Sequence, residues 1–293
     1  MKVAIYGQTY QNNALDYVVA FLDELQKTES EAYFEEEFYK LLFSSGKLAS
    51  HKTFNMVSGL DDSFDMFVSF GGDGTILRAI TYVRELDIPV VGVNTGRLGF
   101  LSTFKKEDVR KVVQEFVSGA YTIVERSLLE VHADEAIPEF GELNFALNEI
   151  TVSRKDTTSM ITVETYLNNE YLTSYWADGL IVSTPTGSTG YSLSCGGPVI
   201  APTAKSLVLT PIAPHNLNAR PLVVSDNTEI RLRVTGREEY HLLSLDSRIA
   251  TLKSGKEILL KKAGFSIKMI EYTSESFFKT LRNKLLWGED RRN

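Results

Sequence analysis

The fold is decided by a stretch that reads FVSF at residues 67–70, GGDGT at 71–75, ILRAITYVRE at 76–85 and IPVVG at 88–92. A short apolar run, a glycine-rich turn, a segment with helical periodicity and a second apolar run predict one β-loop-α-β unit. The turn follows the carboxyl end of its strand, which is where open α/β sheets bind ligands. We therefore expect a binding site at residues 71–75.

One acid stands among the three glycines of this turn. Glycines let a phosphate approach main-chain N–H groups next to a helix start, whereas a carboxylate repels phosphate unless it has a task. Asp73 could hold Mg²⁺, accept a proton from an attacking hydroxyl, or cap the following helix as Asp commonly does. The five residues alone leave these roles open, and Asp73 is the first candidate for catalysis.

The first part of the chain alternates strand and helix patterns. A strand pattern covers residues 2–6, and helix patterns cover 14–27, 34–43 and 106–117, with Gly119 as a C-cap signal after the last one. This alternation predicts an α/β N-terminal domain at residues 1–118, a Rossmann-like open sheet that carries the GGDGT loop.

The pattern changes after Gly119, where alternating, β-branched segments follow one another and helical periodicity nearly vanishes until residue 272. The Asn168-Asn169 pair between two such segments predicts a hairpin turn. Together the segments predict an all-β C-terminal domain at residues 119–273. The predicted strands are 121–133, 143–153, 158–168, 180–184, 207–212, 229–234, 258–261 and 265–272.

The end of the chain returns to helical periodicity. Ser274 or Ser276 can cap a helix whose residues Phe277, Phe278 and Leu281 lie on one apolar face. Since an apolar face must pack somewhere, we expect this C-terminal segment, residues 274–293, to return to the first domain.

Composition bounds the function. The 293 residues carry 43% hydrophobic and 24% charged residues, which is typical of an ordinary globular protein. A net charge of −7 argues against a general binder of nucleic acid or anionic membranes, because such surfaces need a basic excess. Any bound phosphate must be held locally, by backbone N–H groups, a few cations and a metal.

Cysteine and histidine usage excludes further classes. One cysteine, Cys195, excludes an intrachain disulfide and a multi-cysteine zinc site, and the four histidines lack HxxxH or HxH spacing. The first residues lead directly into a strand pattern rather than a signal peptide, and no apolar run reaches membrane length. We expect a cytoplasmic location.

Two further stretches place polar residues where a plain strand would not. Asn148 falls on the same strand face as apolar residues, so its amide must find a partner, and Glu149 adds an acceptor for hydroxyl protons from a ribose. An edge-strand pair that faces solvent is the alternative. Residues 183–194 are dense in Ser, Thr and Gly and suit a phosphate-bearing ligand, with a surface loop as the alternative. Cys195, in the same stretch, is more typical of a small buried hydrophobe than of a nucleophile.

These residues add up to a resemblance that covers nearly the whole chain. The GGDGT loop, residues 94–101, Asn148-Glu149 and residues 178–198 occur in the order and spacing of bacterial-type NAD kinases, as do residues 211–215, 220–222, Asp246-Ser247 and the last helix. The first motif is also found in diacylglycerol kinases, whereas the run 184–198 is far more specific. The resemblance implies an ATP:NAD 2′-phosphotransferase that makes NADP and uses ATP and Mg²⁺.

The resemblance also implies roles for single residues. Asp73 would accept the proton of the adenosine 2′-hydroxyl of NAD, and Asn148 and Glu149 would fix the adenosine ribose and base. Asp178 would lie at the other nucleoside, and Tyr191 would pack against a base. The remaining positions implied in substrate binding are Gly74, Arg78, Thr186, Thr189, Gly190, Ser192, Ser194, Ala213 and Asp246. The metal ligands stay unknown.

Three positions depart from the family pattern. Gly190 stands where alanine is more frequent, which leaves a backbone contact intact, and Arg248 stands where glutamine is common. Residues 7–11 lack the Lys-Pro that is often seen after the first strand, so the contacts to the phosphate donor are less defined.

Two other functions compete with the kinase. A lipid kinase of the diacylglycerol type shares the glycine-aspartate loop but does not require Asn148-Glu149 or residues 184–198. A non-catalytic NAD(P)-binding regulatory protein would keep the pocket but lose the base. The chain contains neither G-x-x-x-x-G-K-[ST] nor G-x-G-x-x-G, which excludes a P-loop kinase and a GxGxxG dinucleotide site. The resemblance further suggests a homodimer or homotetramer with β-domain surfaces at the contact.

Overall fold

The computed structural model describes residues 1–8, 14–46, 55–57, 59–96, 99–102, 104–156, 159–272 and 276–286. Most of the loop after the first strand, Arg97 of the second glycine-rich stretch and the C-terminal tail lie outside the described residues. The chain forms two compact units, one of Met1–Glu125 with Ile267–Asn293 and one of Arg126–Ser266. Both divisions fall within long strands, Tyr121–Ala133 and Glu257–Tyr272. The sequence pattern instead predicts boundaries at 118/119 and 273/274, where helical periodicity gives way to strand alternation and then returns.

The elements of the first part of the chain are ten strands and helices followed by one long strand. They are β1 Lys2–Gly7, α1 Ala14–Leu25, β2 Glu31–Glu35, α2 Glu36–Ser44, β3 Asn55–Val57, β4 Met66–Phe70, α3 Asp73–Val83, β5 Val90–Asn94, β6 Phe104–Lys105, α4 Val109–Val117 and β7 Tyr121–Ala133. A short 3₁₀ turn, Lys106–Asp108, precedes α4.

The rest of the chain is mostly strand. Its elements are β8 Phe145–Ala146, β9 Glu149–Ser153, β10 Ile161–Leu167, β11 Glu170–Ala177, β12 Gly179–Ser183, α5 Tyr191–Ser194, β13 Ser206–Ile212, β14 Leu222–Ser225, β15 Ile230–Thr235, β16 Tyr240–Leu245, β17 Arg248–Lys253, β18 Glu257–Tyr272 and α6 Phe277–Leu285. None of the helices described is long and apolar enough to cross a membrane.

The first unit is built on a parallel sheet with the order β3-β2-β1-β4-β5, and the end of β18 pairs with β5 at Met269 and Val90. All five residues of β4 and of β5 are buried, as expected of central parallel strands that are covered on both faces. Helix α3 buries Ile76, Ala79 and Ile80, which recur at helical spacing. The sheet thus ends directly in the GGDGT loop, and the predicted α/β class is confirmed.

One helix of this unit begins later than the sequence predicts. Residues 31–35 form β2, which pairs in parallel with β1, and α2 begins at Glu36 rather than at residue 34. The side chain of Glu35 accepts a hydrogen bond from the N–H of Phe38 at 3.0 Å and so caps the helix. Strand pairing and a glutamate cap, which is not among the preferred capping residues, account for the difference.

The second unit is β-rich, with one short helix, α5, among the described residues. One sheet carries the order β14-β13-β12-β9-β16-β17, and the other carries β11-β10-β15 with the first part of β18. Buried residues from both sheets form one hydrophobic cluster. Strands β11, β14, β16 and β17 lie outside the segments that the sequence predicts, while the bounds of β7 are as predicted. The predicted pair of strands at 258–272 is one continuous strand, β18.

Two local predictions are confirmed. Asn168 and Asn169 link β10 to β11 with positive φ angles of 50° and 69°, as a two-residue hairpin requires. Ser276 caps α6 by accepting a hydrogen bond from the N–H of Lys279 at 3.2 Å. The ring of Phe277 packs 6.3 Å from that of Phe100, so the C-terminal helix lies on the first unit.

Candidate functional site

Asp73 is tied to the backbone of a neighbouring loop. Its Oδ2 accepts a hydrogen bond from the N–H of Phe100 at 2.7 Å, and its Oδ1 accepts from the N–H of Leu101 at 3.1 Å and of Ser102 at 2.9 Å. The Ser102 hydroxyl donates a fourth bond to Oδ1 at 3.0 Å. The helix cap is Gly72, without a side-chain bond, so the carboxylate organises the loop rather than capping α3.

The loop opposite Asp73 approaches it closely. A Cβ on Gly99 would lie 1.7 Å from Oδ1 of Asp73, so only glycine fits there. Asn94 extends the network, since its amide donates to the Ser102 hydroxyl at 2.9 Å and its Oδ1 accepts from the N–H of Gly96 at 2.8 Å. Asn94, which ends β5, therefore orients the hydroxyl that donates to Asp73.

A cleft of about 200 Å³ lies beside this network. It is lined by Asn94, Gly96, Lys105, Lys106 and Glu107. Two lysines at a glycine-rich turn can neutralise phosphate, in a protein whose overall charge is negative. Lys105 and Lys106 thus place positive charge beside the turn at Asn94 and Gly96, next to the carboxylate of Glu107.

The other predicted positions of the first unit lie on α3. Gly74 is exposed, and apart from its chain neighbours and the backbone of its own helix no described atom lies within 4 Å of a Cβ added there, so a ligand can approach it. Arg78 is exposed and interacts with the hydroxyl of Tyr6. Burial raises the pKa of Tyr6, and the cation of Arg78 opposes that shift. Arg78 thus spans α3 and the end of β1.

In the second unit a second aspartate organises backbone in the same way. Asp246, at φ 52° in the turn between β16 and β17, accepts hydrogen bonds from three consecutive N–H groups. Its Oδ2 accepts from Leu147 at 2.9 Å, and its Oδ1 accepts from Asn148 at 2.8 Å and from Glu149 at 3.2 Å. Asp246 therefore fixes the predicted Asn148-Glu149 pair through the main chain.

Glu149 shares this environment. Burial raises its pKa to about 8, the nearby charge of Asp246 adds to the rise, and the backbone N–H of Tyr191 opposes it. Burial also raises the pKa of Asp246, against the three N–H donors and the Arg248 cation. The Oε2 atom of Glu149 is buried without a hydrogen-bond partner in the part of the chain that the structure describes. Strand β9 lies between β12 and β16 and both residues of the Asn148-Glu149 pair are half-buried, so the alternative of an edge-strand pair that faces solvent is wrong.

Arg248 holds the residues that precede the Asn148-Glu149 pair. Its guanidinium donates to the carbonyl oxygens of Leu143 and Phe145 and lies 5.4 Å from the centre of the Phe145 ring. Burial lowers the pKa of Arg248, and the charge of Asp246 opposes that shift. Asp246 and Arg248, two residues apart, thus hold the N–H and C=O groups of one stretch of backbone.

The Ser- and Thr-rich stretch packs directly on this segment. The hydroxyl of Thr184 donates to the carbonyl of Leu147 at 2.6 Å, and the N–H of Thr184 donates to the carbonyl of Asn148 at 2.9 Å. A Cβ on Gly187 would lie 2.0 Å from the carbonyl oxygen of Asn148. A Cβ on Gly190 would lie 3.2 Å from Oε2 of Glu149, so an alanine there would touch the predicted site.

The other hydroxyl residues of this stretch differ in how deeply they are buried. Ser192 is buried and shares a hydrogen bond of 2.8 Å with Thr210, whereas Ser194 is exposed. Thr186 is buried, and its carbonyl accepts a bond from the Thr189 hydroxyl at 3.2 Å. Several of these hydroxyls thus hold the stretch together.

Tyr191 is the aromatic residue of this stretch, and 46% of its surface is exposed. Its hydroxyl interacts with Cys195, and burial raises the pKa of both groups. A raised thiol pKa means less thiolate at neutral pH, which agrees with a structural rather than a nucleophilic cysteine.

Asp178 and Ala213 lie at the start of β12 and the end of β13. The carboxylate of Asp178 pairs with Arg154 at 3.0 Å, and its N–H donates to the carbonyl of Ile212. Ala213 is exposed with φ 44°, a conformation that alanine rarely adopts. The structure brings both residues together at one end of this pair of neighbouring strands.

Two family models cover most of the chain. Residues 3–121 match the ATP-NAD kinase N-terminal domain, and residues 147–272 match the ATP-NAD kinase C-terminal domain. The chain belongs to the ATP-NAD kinase family. It is accordingly a phosphotransferase of the class that phosphorylates NAD to NADP with ATP, and the resemblance read from the sequence is confirmed. The lipid-kinase and non-catalytic alternatives are not favoured.

Relatives and solved structures agree with this membership. The chain is 56% identical to the NAD kinase of Flavobacterium johnsoniae and 40% identical to that of Bacteroides fragilis, each over the full length of both chains. It also resembles a solved NAD kinase from Archaeoglobus fulgidus in complex with ATP, at TM-score 0.74 and 25% identity over 97% of both chains. Yeast NADH kinase complexed with NADH has the same fold, at TM-score 0.85 over 99% of this chain and 89% of that one, with 24% identity.

The described residues do not form a metal site built from several protein side chains. No group of three His, Cys, Asp or Glu side chains is placed to hold a metal within the described ranges. Oδ1 of Asp73 accepts three hydrogen bonds and Oδ2 accepts one, and Asp246 accepts hydrogen bonds from three N–H groups. These donor sets do not fit a Mg²⁺ ion held mainly by protein carboxylates.

Several contacts of the ATP-NAD kinase site were not predicted. The backbone of residues 100–102 around Asp73, the bonds of Arg248 and the pairing of Arg154 with Asp178 all join segments that are distant in sequence. The only signal in the sequence is a set of polar residues inside apolar or glycine-rich stretches.

Proposed function

We propose that Asp73 accepts the proton of the adenosine 2′-hydroxyl of NAD as that oxygen attacks the γ-phosphorus of ATP. The bond from the 2′-oxygen to phosphorus forms, the bond from phosphorus to the ADP oxygen breaks, and the proton passes to the carboxylate. The observation that carries this proposal is the carboxylate of Asp73, which four hydrogen bonds fix at the glycine-rich end of β4, while Oδ2 accepts only one of them and keeps a lone pair for the proton.

Phosphoryl transfer leaves little covalent work to the protein, so positioning and charge neutralisation dominate. Backbone N–H groups of the glycine-rich turn, with Gly74 open to the ligand, would receive the phosphates. Lys105 and Lys106 at the adjacent cleft would add positive charge. Arg78, on the same helix, would approach the ligand less closely.

The second unit would grip the dinucleotide. Asn148 and Glu149 would fix the adenosine, which is supported by the way Asp246 holds their backbone and Arg248 holds the preceding carbonyls of Leu143 and Phe145. Tyr191 would pack on a base, Asp178 would lie at the other nucleoside, and Ala213 would lie beside it. The other positions would line the pocket through backbone or hydroxyl contacts: Thr186, Thr189, Gly190, Ser192 and Ser194.

Three further features belong to the proposal. Mg²⁺ would arrive with the phosphates of ATP, since the described carboxylates do not form a cage for it. The protein would act in the cytoplasm, where its two nucleotide substrates are found. It would assemble as a homodimer or homotetramer through β-domain surfaces.

The activity is tested by incubation with ATP, Mg²⁺ and NAD and detection of NADP, with diacylglycerol as the control acceptor. We expect NADP and no phosphorylated lipid. Well-folded protein that forms no NADP would overturn the proposal, and phosphorylated diacylglycerol would favour the lipid kinase.

Asp73→Asn tests the base. The variant should keep NAD affinity within a few-fold and lower kcat by about 10²–10⁴, the usual contribution of general acid–base catalysis. Equilibrium binding of NAD and steady-state kinetics measure the two effects. A near-normal kcat would remove Asp73 from this role.

Ser102→Ala is the control for the loop. It removes one of the four bonds to Asp73 but keeps the carboxylate, so kcat should fall less than tenfold. If Ser102→Ala lost as much turnover as Asp73→Asn, Asp73 would serve to anchor the loop rather than to accept a proton.

A further inference from the structure

We infer that helix α6 positions Asp73 through the ring of Phe100, and that Phe277 and Lys284 are the residues of α6 that hold this ring. The inference rests on the proposed function, because it concerns the carboxylate that would accept the proton of the 2′-hydroxyl. Both residues act on Asp73 through Phe100, so they are positioning residues rather than catalytic ones.

The main chain of Phe100 directs one oxygen of Asp73. Its N–H donates to Oδ2 at 2.7 Å, and this is the one hydrogen bond that Oδ2 accepts from the described residues, whereas Oδ1 accepts three. A carboxylate oxygen with a single donor keeps a lone pair for a proton. The direction of the Phe100 N–H therefore sets where that lone pair faces a substrate hydroxyl.

The side chain of Phe100 is held by α6. The ring of Phe277, the first residue of the helix, lies 6.3 Å from the Phe100 ring between centroids, with an angle of 40° between the planes. The Nζ atom of Lys284 lies over the same ring, 4.6 Å from its centre. Both distances are those of favourable aromatic and cation–π contacts. One ring is thus held by two side chains of one helix.

Helix α6 is docked by the face that carries these two residues. Thr280 and Leu281 are buried and Phe277 is half-buried, whereas Phe278 is 61% exposed. Residues 277, 280, 281 and 284 recur at the spacing of one helix face. Since Ser276 caps the first turn, the start of this face is fixed in place. The helix therefore offers Phe100 a supported surface.

The loop next to Asp73 has few other side chains to hold it at this end. Gly99 lies so close that a Cβ there would be 1.7 Å from Oδ1 of Asp73, so the position needs a residue without a side chain. Glycine allows the close approach but restrains its own backbone little. The ring of Phe100 is the next side chain along the chain, and its contacts with α6 restrain the N–H that donates to Oδ2.

The first test is Phe277→Ala in the full-length protein. A small misplacement of a catalytic group slows the chemical step strongly, so kcat should fall about tenfold or more. The Kd for NAD should stay within about twofold of wild type, because the proposed function assigns the dinucleotide to the second unit. Phe277→Tyr retains the ring and should keep kcat within about threefold of wild type. Steady-state kinetics and equilibrium binding measure these effects.

A double-mutant cycle shows whether α6 acts through the Phe100 ring. Phe100→Ala removes the ring but keeps the N–H that donates to Asp73, and its kcat should fall to a similar extent. Adding Phe277→Ala should then lower kcat by less than about twofold, because both changes remove the same contact. A further loss as large as that of Phe277→Ala alone would overturn the inference. So would a Phe277→Ala kcat within about twofold of wild type.

Lys284 keeps the inference testable if Phe277→Ala does not fold, since Lys284 is exposed. Lys284→Gln should lower kcat about two- to fivefold, the factor that an exposed cation–π contact supplies, and Lys284→Arg should restore it to within about 1.5-fold. Arg282→Gln is the matched control, because it removes the same charge on another face of α6 and should leave kcat within about 1.5-fold. Equal losses in Lys284→Gln and Arg282→Gln would overturn the role of Lys284.

Failure of the proposed function would look different from failure of this inference. In the first case wild-type protein would form no NADP, or Asp73→Asn would retain a near-normal kcat. In the second case wild-type protein would form NADP and Asp73→Asn would lose turnover, while folded Phe277→Ala and Lys284→Gln would keep the wild-type kcat.

Discussion

Asp73 and Asp246 use their carboxylates in the same way in two different units. Each accepts hydrogen bonds from three backbone N–H groups of a distant segment, residues 100–102 for Asp73 and 147–149 for Asp246. Hydrogen bonds from N–H groups to a carboxylate are roughly twice as strong as neutral ones, so these two acids fix the path of the main chain. The candidate site residues are therefore positioned by acids that also belong to the site.

Gly187 provides a prediction at the residue scale. A Cβ at this position would lie 2.0 Å from the carbonyl oxygen of Asn148, and backbone cannot move aside as a flexible side chain can. We expect Gly187→Ala to lower the free energy of unfolding by about 1–3 kcal/mol, the usual effect of overpacking. It should also weaken NAD binding. Urea unfolding and equilibrium binding measure the two effects.

Gly264→Ala is the control for that change. It lies on β18 of the same unit, and its added Cβ would meet no atom within 4 Å beyond its chain neighbours. Its free energy of unfolding should stay within about 0.5 kcal/mol of wild type, as for most exposed substitutions. Equal losses in both variants would contradict the role of close backbone approach at Gly187.

At the scale of elements, the β10–β11 hairpin depends on two residues with positive φ. Asn168 also accepts a hydrogen bond from the N–H of Glu229 at 3.0 Å, so Asn169, at φ 69°, gives the cleaner test of the turn. Asn169→Gly should hold or raise stability, because glycine adopts this conformation without strain.

Asn169→Val is the opposing change. A β-branched residue in the left-handed region should lower the free energy of unfolding by about 1–2 kcal/mol. Thermal or urea unfolding of the two variants and wild type gives the ranking. If valine and glycine behaved alike, the turn geometry would not limit the stability of this hairpin.

Elements with a local cause were predicted well, and those with a remote cause were not. The hairpin at Asn168-Asn169, the Ser276 cap and the strand at Tyr121–Ala133 follow from nearby residues. Strands β2, β16 and β17 are stabilised by pairing with neighbouring strands. Their own sequence patterns are too short or too irregular to predict a strand. Pairing with strands distant in sequence overrode local propensity in β2 and β16, whereas β17 pairs with β16 across the short turn at Asp246-Ser247.

At the scale of the whole molecule, His241 makes the stability of the protein depend on pH. Its side chain is fully buried on β16, and both ring nitrogens are without hydrogen-bond partners among the residues that the structure describes. Burial lowers its pKa, against the charge of Glu238. Because the unfolded chain then binds a proton more readily, the contribution of His241 to stability is full above about pH 6.5 and falls as the pH drops below that value.

The measurement is urea unfolding of wild type and His241→Leu between pH 5 and pH 8. Glu149, with a folded pKa raised to about 8, adds the opposite slope, since its contribution falls as the pH rises from its unfolded value through 8. We therefore use the difference between the two proteins, in which the Glu149 contribution cancels. The stability of wild type relative to the variant should decline toward pH 5. A difference that does not change with pH would contradict the assignment.

The sequence by itself determined the fold class, the family and the identity of most candidate site residues. Short periodic patterns, glycine-rich turns and a specific order of motifs are properties of neighbouring residues, so they can be read without a structure. Only the tertiary structure decided what those residues do to one another: that Asp73 binds residues 100–102, that Asp246 and Arg248 hold the Asn148-Glu149 segment, and that Oε2 of Glu149 is left without a partner. The physical reason is that burial, charge coupling and hydrogen bonding depend on distances in space between segments far apart in the chain. The GGDGT loop is therefore recognisable in the sequence, whereas the hydrogen-bond partners of its aspartate are visible only in the tertiary structure.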